Sequence, residues 1–569
     1  MSLLEELSPG AATEERCHVH VLTDRCAGCQ ECIVRCPAGA LHLDVERWIA
    51  RADEDLCVGC RQCVRTCPFS AITVSGPVLV APPVERNDGH RPLITGDARE
   101  THGGFASWDE ALAEADRCLA CPDPTCVRGC PAHNDIPGFI SALRAGDLDR
   151  AHRVLRETTV LPDVCSRVCN QAAQCEGACS WALAGENPVA IGRLERFVAD
   201  HLAVPPPDRR GSLGEGLSVA VIGAGPAGIG AAWRLTEEGA RVTVYEKEAE
   251  PGGLLGWGIP DFTLPGPVAD RAWRQLRAAG VELRCGTEID ADSVAGLLAA
   301  YDAVIVSVGA SQPMRLPVPG ADLEGVVDAT LFLQGAKGAL RPGGDPDAFR
   351  GRLGLPAGGQ DGSERPHVLV LGAGNTAMDV ARSARRLGLA ATCVDWLDER
   401  FALTRPDELA EARREGVTVS FSRTLVRLTG TGRRVEQAEL ATTRQDRADR
   451  SPKVRRGHTE VLPVDLVVMA MGYRIEPAYT QMFPGIPVRP VSKGTPDRRW
   501  SASGILSPDA EDHGVGKLAL TREARSMEAA RPVRHRVWVT GDALVGPSTV
   551  VEAMTQGRLA AGAVLASRT

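Results

Sequence analysis

The chain has 569 residues, too many for one hydrophobic core, so three or four domains are expected. It is 44% hydrophobic and 24% charged, with a formal net charge of -9 and no long basic tract, which excludes nucleic acid as an expected partner. Residues 1–15 carry acids and no apolar segment, so no signal peptide is expected, and no charge-free apolar run is long enough to span a bilayer. The 19 cysteines are spaced too tightly and regularly for a secreted disulfide framework. Thiolate metal ligands in a reducing, cytoplasmic setting are the expectation.

Residues 26–37 read CAGCQECIVRCP and residues 57–68 read CVGCRQCVRTCP. Each is the C-x2-C-x2-C-x3-C-P run of bacterial two-cluster ferredoxins. Thiolates two residues apart in a tight turn converge on one cubane, while the fourth cysteine starts a short helix and reaches the other cluster. The assignment is therefore crossed. Cys26, Cys29, Cys32 and Cys67 hold one 4Fe-4S cluster, and Cys57, Cys60, Cys63 and Cys36 hold the second. Pro37 and Pro68 end the loops and remove an N–H that would have no partner. CxxC pairs also build zinc ribbons, which is the alternative for these runs. Cys17 lies outside the pattern and reads as structural or free.

A helical pattern over 108–117 leads into CLACPDPTCVRGCP at 118–131, and another over 136–157 precedes CSRVCNQAAQCEGAC at 165–179. Over roughly residues 105–205 these spacings resemble the iron–sulfur domain of the glutamate synthase small subunit and of dihydropyrimidine dehydrogenase. The resemblance implies one cluster on Cys118, Cys121, Cys126 and Glu195, the last from the segment IGRLERF. It implies a second on Cys130, Cys169, Cys175 and Cys179, with Cys165 a spectator. Glu195 stands where dihydropyrimidine dehydrogenase has Gln, and an anionic oxygen ligand lowers a cluster's potential. The alternative makes Cys165 the ligand and Glu195 a solvated helix residue.

An apolar strand at 218–222 is followed by GAGPAG at 223–228, a helix to 238, and a strand at 241–245 ending in Glu246. Gly223 allows the tight turn, Gly225 admits a pyrophosphate and Gly228 lets helix pack on strand. Pro226 and Ala227 begin a helix whose N-terminus suits phosphates, and Glu246, beside Lys247, can accept from the adenosine ribose. The stretch EAEPGGLLGWGIP at 248–260 resembles the loop over the flavin in the same family. That implies FAD contacts at Gly252, Gly253 and Leu254, with Ile259 and Pro260 lining its ring. A second loop, GAGNTAMD at 372–379, follows a strand at 367–371 and resembles the family's nicotinamide-binding turn. Gly372, Gly374, Asn375 and Thr376 would then meet the cofactor, with Asp379 structural. The stretches at 302–310 and 465–473 read as return strands joining the two domains. Near the C-terminus, VWVTGDA at 537–543 is followed by GPSTVVEAM at 546–554. The resemblance places Gly541 and Asp542 at the FAD ribityl chain. It also places Ser548, Thr549 and Val550 at a helix N-terminus facing the flavin pyrimidine ring, where negative charge gathers on reduction.

NADPH-using relatives carry an arginine after the second strand of the nicotinamide domain. The stretch 392–397 has none, and Asp395 there suits ribose hydroxyls and repels a phosphate. Leu403 replaces another arginine, although Arg400 and Arg405 lie close enough to compensate. NADH is therefore the expected substrate, with NADPH the alternative. Proline- and glycine-rich stretches around 82–101, 205–216 and 341–366 read as linkers or surface loops, as does 501–534.

The resulting fold class is multidomain α/β. A two-cluster ferredoxin domain (17–80) and a helical iron–sulfur domain (105–208) precede a two-dinucleotide-binding flavoprotein fold. In that fold an NAD(P)H domain (331–475) is inserted between the two segments of an FAD domain (217–330 and 476–569). Hydride would pass to FAD, and single electrons through four 4Fe-4S clusters to a catalytic redox subunit or ferredoxin-type partner in a hetero-oligomer. The alternatives are a freestanding NAD(P)H:ferredoxin oxidoreductase and a non-catalytic cluster scaffold.

Overall fold

The computed structural model describes residues 17–36, 38–76, 100–101, 103–105, 107–121, 123–201, 205–356, 365–446, 452–476, 479, 488–489, 505–506 and 536–567. The expectations for residues 1–15 and Pro37, and most of those for 82–101 and 501–534, lie outside these residues. The chain forms two compact units, one of residues 1–89 and 103–203, the other of residues 90–102 and 204–569. Among the described residues no helix is long and apolar enough to cross a membrane.

The first unit begins with an internal repeat. Strand His18–Val21 pairs antiparallel with Ile72–Ser75, and Leu41–Asp44 with Ile49–Ala52. The short helices Glu31–Val34 and Gln62–Thr66 carry the third cysteine of each run. The repeat extends to single bonds: the Ala40 and Ala71 N–H groups donate to Cys36 and Cys67 Sγ, both at 3.2 Å. The helical region follows. Its 136–157 pattern forms two helices, Ile136–Arg144 and Leu148–Thr158, because Gly146 turns the chain at φ 75° and Asp147 caps the second helix through the Arg150 N–H. Helix Ile191–His201 packs on helix Pro162–Val168.

The second unit contains two parallel five-stranded sheets. The first runs in the order Val537–Val539, Ala303–Val306, Ser218–Ile222, Arg241–Tyr245, Glu282–Arg284. The second runs Val326–Asp328, Leu466–Met469, His367–Leu371, Ala390–Val394, Thr418–Ser420. The stretches read as return strands thus sit inside their sheets. The second sheet draws an edge strand from 326–328, ahead of the expected boundary at 331. A further difference is the helix Pro346–Arg352 inside the expected 341–366 loop. Asp345 caps it through the Ala348 N–H, Pro346 occupies its first turn, and Phe349 packs edge-on to Phe332 at 5.8 Å. An antiparallel sheet of Arg423–Thr429, Gln437–Arg444 and Lys453–Pro463 completes the nicotinamide half.

Candidate functional site

The thiols of the first unit surround cavities. One is lined by Cys26, Cys29, Cys32 and Cys67, another by Cys36, Cys57, Cys60 and Cys63, so the last cysteine of each ferredoxin run joins the other set. Burial, followed by repulsion from neighbouring thiols, pushes Cys32 up to about 11 and Cys63 to about 12. Sulfurs crowded in this way need a cationic centre to stay ionised, which is the chemistry of an iron–sulfur core.

The next two sets differ from the expectation. A third cavity is lined by Cys118, Cys121, Cys126 and Cys179, not by Glu195. Cys179 immediately precedes helix Ser180–Leu183, whose Ser180 Oγ lies 3.4 Å from Cys121 Sγ. Glu195 sits with the other group instead. Burial first, and then Glu195 and Cys165, push Cys130 up to about 11. A hydrogen bond with Cys165, then burial, then Cys165, Glu195 and Cys130 raise Cys169. Burial, then Glu176, Cys130 and Glu195 raise Cys175. The reason is helical geometry: helix Ile191–His201 lies against helix Pro162–Val168, so Glu195 faces the Cys165 region. Glu195 is buried, its Oε1 has no hydrogen-bond partner, and burial followed by Cys165 and Asp163 holds its carboxyl well above the usual range. It is not a solvated helix residue. Cys165, by contrast, has Thr159 Oγ1 at 3.7 Å. The second and third sets are neighbours, since Cys121 and Cys36 are close enough for their charges to interact, as are Cys60 and Cys121.

In the second unit a cavity of ≈ 370 Å³ opens along the first glycine loop. It is lined by Gly223, Gly225, Pro226, Ala227, Glu246, Lys247, Gly253, Leu254, Asp542, Ser548, Thr549 and Val550, all expected from the sequence. Gly228, Gly252, Ile259, Pro260 and Gly541 do not line it. A Cβ at Gly228 would meet the Gly223 carbonyl oxygen at 2.1 Å, so this residue serves helix–strand packing. Gly541 has φ 66° and a Cβ there would meet Ala227 Cβ at 2.8 Å, while the Ile259 carbonyl is taken by Lys337. Residues that sequence reasoning missed also line the cavity: 307–311 after the return strand, Trp257, Thr330 and Gln334. The run S-V-G-A-S at 307–311 is the signal that was available for the first of these.

The polar geometry is specific. Glu246 accepts from the Ala224 N–H at 2.8 Å and the Glu248 N–H at 3.0 Å, bracing the glycine loop. A Cβ at Gly223 would meet the Ser307 carbonyl oxygen at 2.5 Å, whereas one at Gly225 would enter open space. Asp542 accepts from the Ser548 N–H at 3.0 Å and the Ser548 hydroxyl at 2.6 Å, and a Thr549–Glu552 capping box starts helix Val550–Ala566 at the cavity wall. These features fit a bound FAD: an open cradle at the loop, an acid at the strand end and a helix N-terminus at the wall.

At the second loop Gly374 precedes helix Asn375–Arg386, and a Cβ there also enters open space. Asn375 Oδ1 accepts from the Arg405 N–H at 2.9 Å. Thr376 lies in the first turn of that helix. Asp395 accepts from the Ala373 N–H and the Leu397 N–H, both at 2.8 Å. Burial raises its pKa, and those two N–H groups oppose the rise. Arg400 pairs with Asp398 at 2.8 Å, and Arg405 with Asp407. Asp379 is buried and accepts from the Thr263 hydroxyl at 3.3 Å, a structural role.

Comparison with known proteins agrees with this layout. Residues 50–73 match the family described as 4Fe-4S binding domain. Residues 95–204 match dihydropyrimidine dehydrogenase domain II, 4Fe-4S cluster. Residues 217–483 match pyridine nucleotide-disulphide oxidoreductase. The glutamate synthase [NADPH] small chain of Halomonas elongata is 34% identical over 80% of this chain and 90% of its own length. The Escherichia coli protein AegA is 31% identical over 98% of this chain and 82% of its own length. The Escherichia coli NAD-dependent dihydropyrimidine dehydrogenase subunit PreT is 37% identical over 54% of this chain and 70% of its own length.

Proposed function

As the chain belongs to the glutamate synthase small-chain family and is an NAD(P)H-dependent flavin and iron–sulfur oxidoreductase, we propose that it passes electrons between NADH and a partner redox subunit through FAD and four 4Fe-4S clusters. The observation that carries this reading is the presence, in one chain, of a braced cavity along the first glycine loop and four groups of clustered sulfur and carboxylate donors. Bound FAD supplies the exchange between hydride, which moves electrons in pairs, and the clusters, which carry them singly.

The residues act by holding and orienting. Cys26, Cys29, Cys32 and Cys67 form the first ligand set, and Cys36, Cys57, Cys60 and Cys63 the second. Cys118, Cys121, Cys126 and Cys179 form the third. Cys130, Cys169, Cys175 and Glu195 form the fourth, because Cys179 is committed elsewhere and the Glu195 oxygen lacks a protein partner. The neighbouring second and third sets join the ferredoxin repeat and the helical region into a single conducting path. Its outer station is the set with Cys29, which is exposed. NADH is favoured because Asp395 places a buried carboxylate at the ribose end, while Arg400 and Arg405 are held by their own carboxylates. The glutamate synthase small chains and PreT are components of larger enzymes by their names. A hetero-oligomer with a catalytic redox subunit is the corresponding assembly for this chain.

The test is an anaerobic iron count with flavin spectroscopy. Glu195→Ala is expected to lower the iron content by up to about four atoms per chain, one cluster's worth, with Cys165→Ala unchanged. The reverse result overturns the fourth ligand set. Failure of bound flavin to bleach with either nicotinamide overturns the electron-transfer reading. Purification without a partner and full activity on soluble ferredoxin would favour the freestanding reductase.

A further inference from the structure

The segment at 259–263, Ile-Pro-Asp-Phe-Thr, leaves the flavin cavity directly after the helical turn Leu254–Trp257, of which Leu254 and Trp257 line that cavity. Four of its five residues are gripped by the nicotinamide half. Lys337 Nζ donates to the Ile259 carbonyl at 2.6 Å and pairs with Asp261 at 3.1 Å. Arg341 Nε donates to the other oxygen of Asp261 at 2.8 Å. The Arg382 and Arg386 guanidinium groups lie 4.6 and 3.9 Å from the centroid of the fully buried Phe262 ring. The Thr263 hydroxyl donates to Asp379 at 3.3 Å. Arg382 is itself held by Glu408 at 2.7 Å, Glu411 at 2.6 Å and Glu415 at 3.0 Å.

Two helices, with Arg341 just past the end of one, make these grips, and both helices also reach a dinucleotide site. Helix Asn375–Arg386 begins at the second glycine loop and carries Asp379, Arg382 and Arg386. From Asn375 to Arg382 is about 10 Å of rigid helix at 1.5 Å per residue. Helix Ala329–Leu340 places Thr330 and Gln334 on the flavin cavity and buries Lys337. An apolar side chain of similar length would fill the Lys337 site without the cost of desolvating an ammonium. Burial does pull the Lys337 pKa down, and Asp261 opposes the shift. What the ammonium adds is direction: it fixes one carbonyl of the flavin loop.

We propose that the 259–263 segment is a keyed joint that sets the distance between the nicotinamide and flavin sites, with Lys337 as a positioning residue for hydride transfer. The inference rests on the oxidoreductase reading. Hydride transfer needs reacting atoms about 3–3.5 Å apart, and a 1 Å misplacement can cost on the order of 100-fold in rate. A joint that loosens should therefore slow transfer without releasing either dinucleotide.

The test uses the full-length anaerobic holoprotein. In Lys337→Met, FAD content, dithionite reduction of the flavin and Kd for the dinucleotide stay near wild type, while flavin bleaching by the dinucleotide slows at least tenfold. In steady state kcat falls and KM does not, and Lys337→Arg recovers much of the rate. Bleaching within twofold of wild type, or a loss of rate that only tracks lost FAD or lost dinucleotide binding, overturns the joint. Asp261→Asn, on the less buried side of the same joint, is read by the same criteria if the methionine variant does not fold. A wild-type chain that neither nicotinamide bleaches overturns the oxidoreductase reading and the joint with it. A bleached wild type with unaffected variants overturns the joint alone.

Discussion

In the first dinucleotide domain the Gly223 N–H donates to the Tyr245 carbonyl at 2.7 Å and the Ala224 N–H to Glu246 at 2.8 Å; in the second the Gly372 N–H donates to the Val394 carbonyl at 2.8 Å and the Ala373 N–H to Asp395 at 2.8 Å. The acid at each strand end also accepts from the N–H two residues further on, Glu248 in one case and Leu397 in the other. The glycine turns match as well: an added Cβ would strike the return-strand carbonyl of Ser307 at 2.5 Å in one and of Ala470 at 2.6 Å in the other. The domains differ in what surrounds this shared core. Three separate segments close on the first loop: the 246–254 stretch, the 307–311 return and the start of the C-terminal helix. The C-terminal helix packs so tightly that a Cβ at Gly557 would meet the Ala227 carbonyl oxygen at 1.9 Å. At the second loop the Arg405 N–H donates to Asn375, and the strand-end Asp395 braces the turn. The comparison teaches that one turn-and-acid core can be set in two different surroundings, which is the difference expected between the FAD and NADH sites proposed above.

The strongest way to break that comparison is Gly225→Val. The side chain would fill the open space at the loop, and FAD should be lost almost completely, read as the flavin-to-protein absorbance ratio; retained flavin would contradict the cradle. Gly374→Val makes the same change in the other domain. FAD should stay bound while kcat/KM for NADH falls roughly 100-fold, about 2.7 kcal/mol. Flavin loss in this variant would remove the distinction between the two sites. The smallest effect is expected from Asp395→Ser, which removes the buried negative charge but leaves a hydroxyl acceptor. The kcat/KM ratio of NADH to NADPH should fall by about tenfold, about 1.4 kcal/mol. A wild-type chain that prefers NADPH would contradict the role given to Asp395.

Much of this was legible in residue order. Short continuous apolar strands, glycine loops and terminal acids occur within thirty or so residues of one another, and such local patterns specify local structure. The crossed cysteines of the ferredoxin runs follow from the repeat itself. The third and fourth ligand sets were less legible. Spacing alone groups Cys165, Cys169, Cys175 and Cys179, and the family resemblance placed Glu195 with the wrong run. Nothing in the sequence states that Cys179 turns toward Cys118 while Glu195 lies beside Cys165. That depends on how two helices more than twenty residues apart pack. The helix Pro346–Arg352 was hidden differently, since a glycine- and proline-rich context masked an Asp-Pro start that caps well.

The sequence by itself determined the inventory: sulfur donors in tight runs, two phosphate loops, two strand-end acids and no basic residue at the second ribose position. These are properties of short segments, where spacing and backbone freedom decide the outcome. Only the tertiary structure decided the partition of the inventory. It placed Cys179 with Cys118, Cys121 and Cys126 and Glu195 beside Cys165 and Cys130, drew the 307–311 return into the wall of the first cavity, and joined Lys337 to Ile259 and Arg382 to Phe262. Those contacts come from helices and loops that are distant in the chain, and long-range packing, not local pattern, sets which side chains share a buried space.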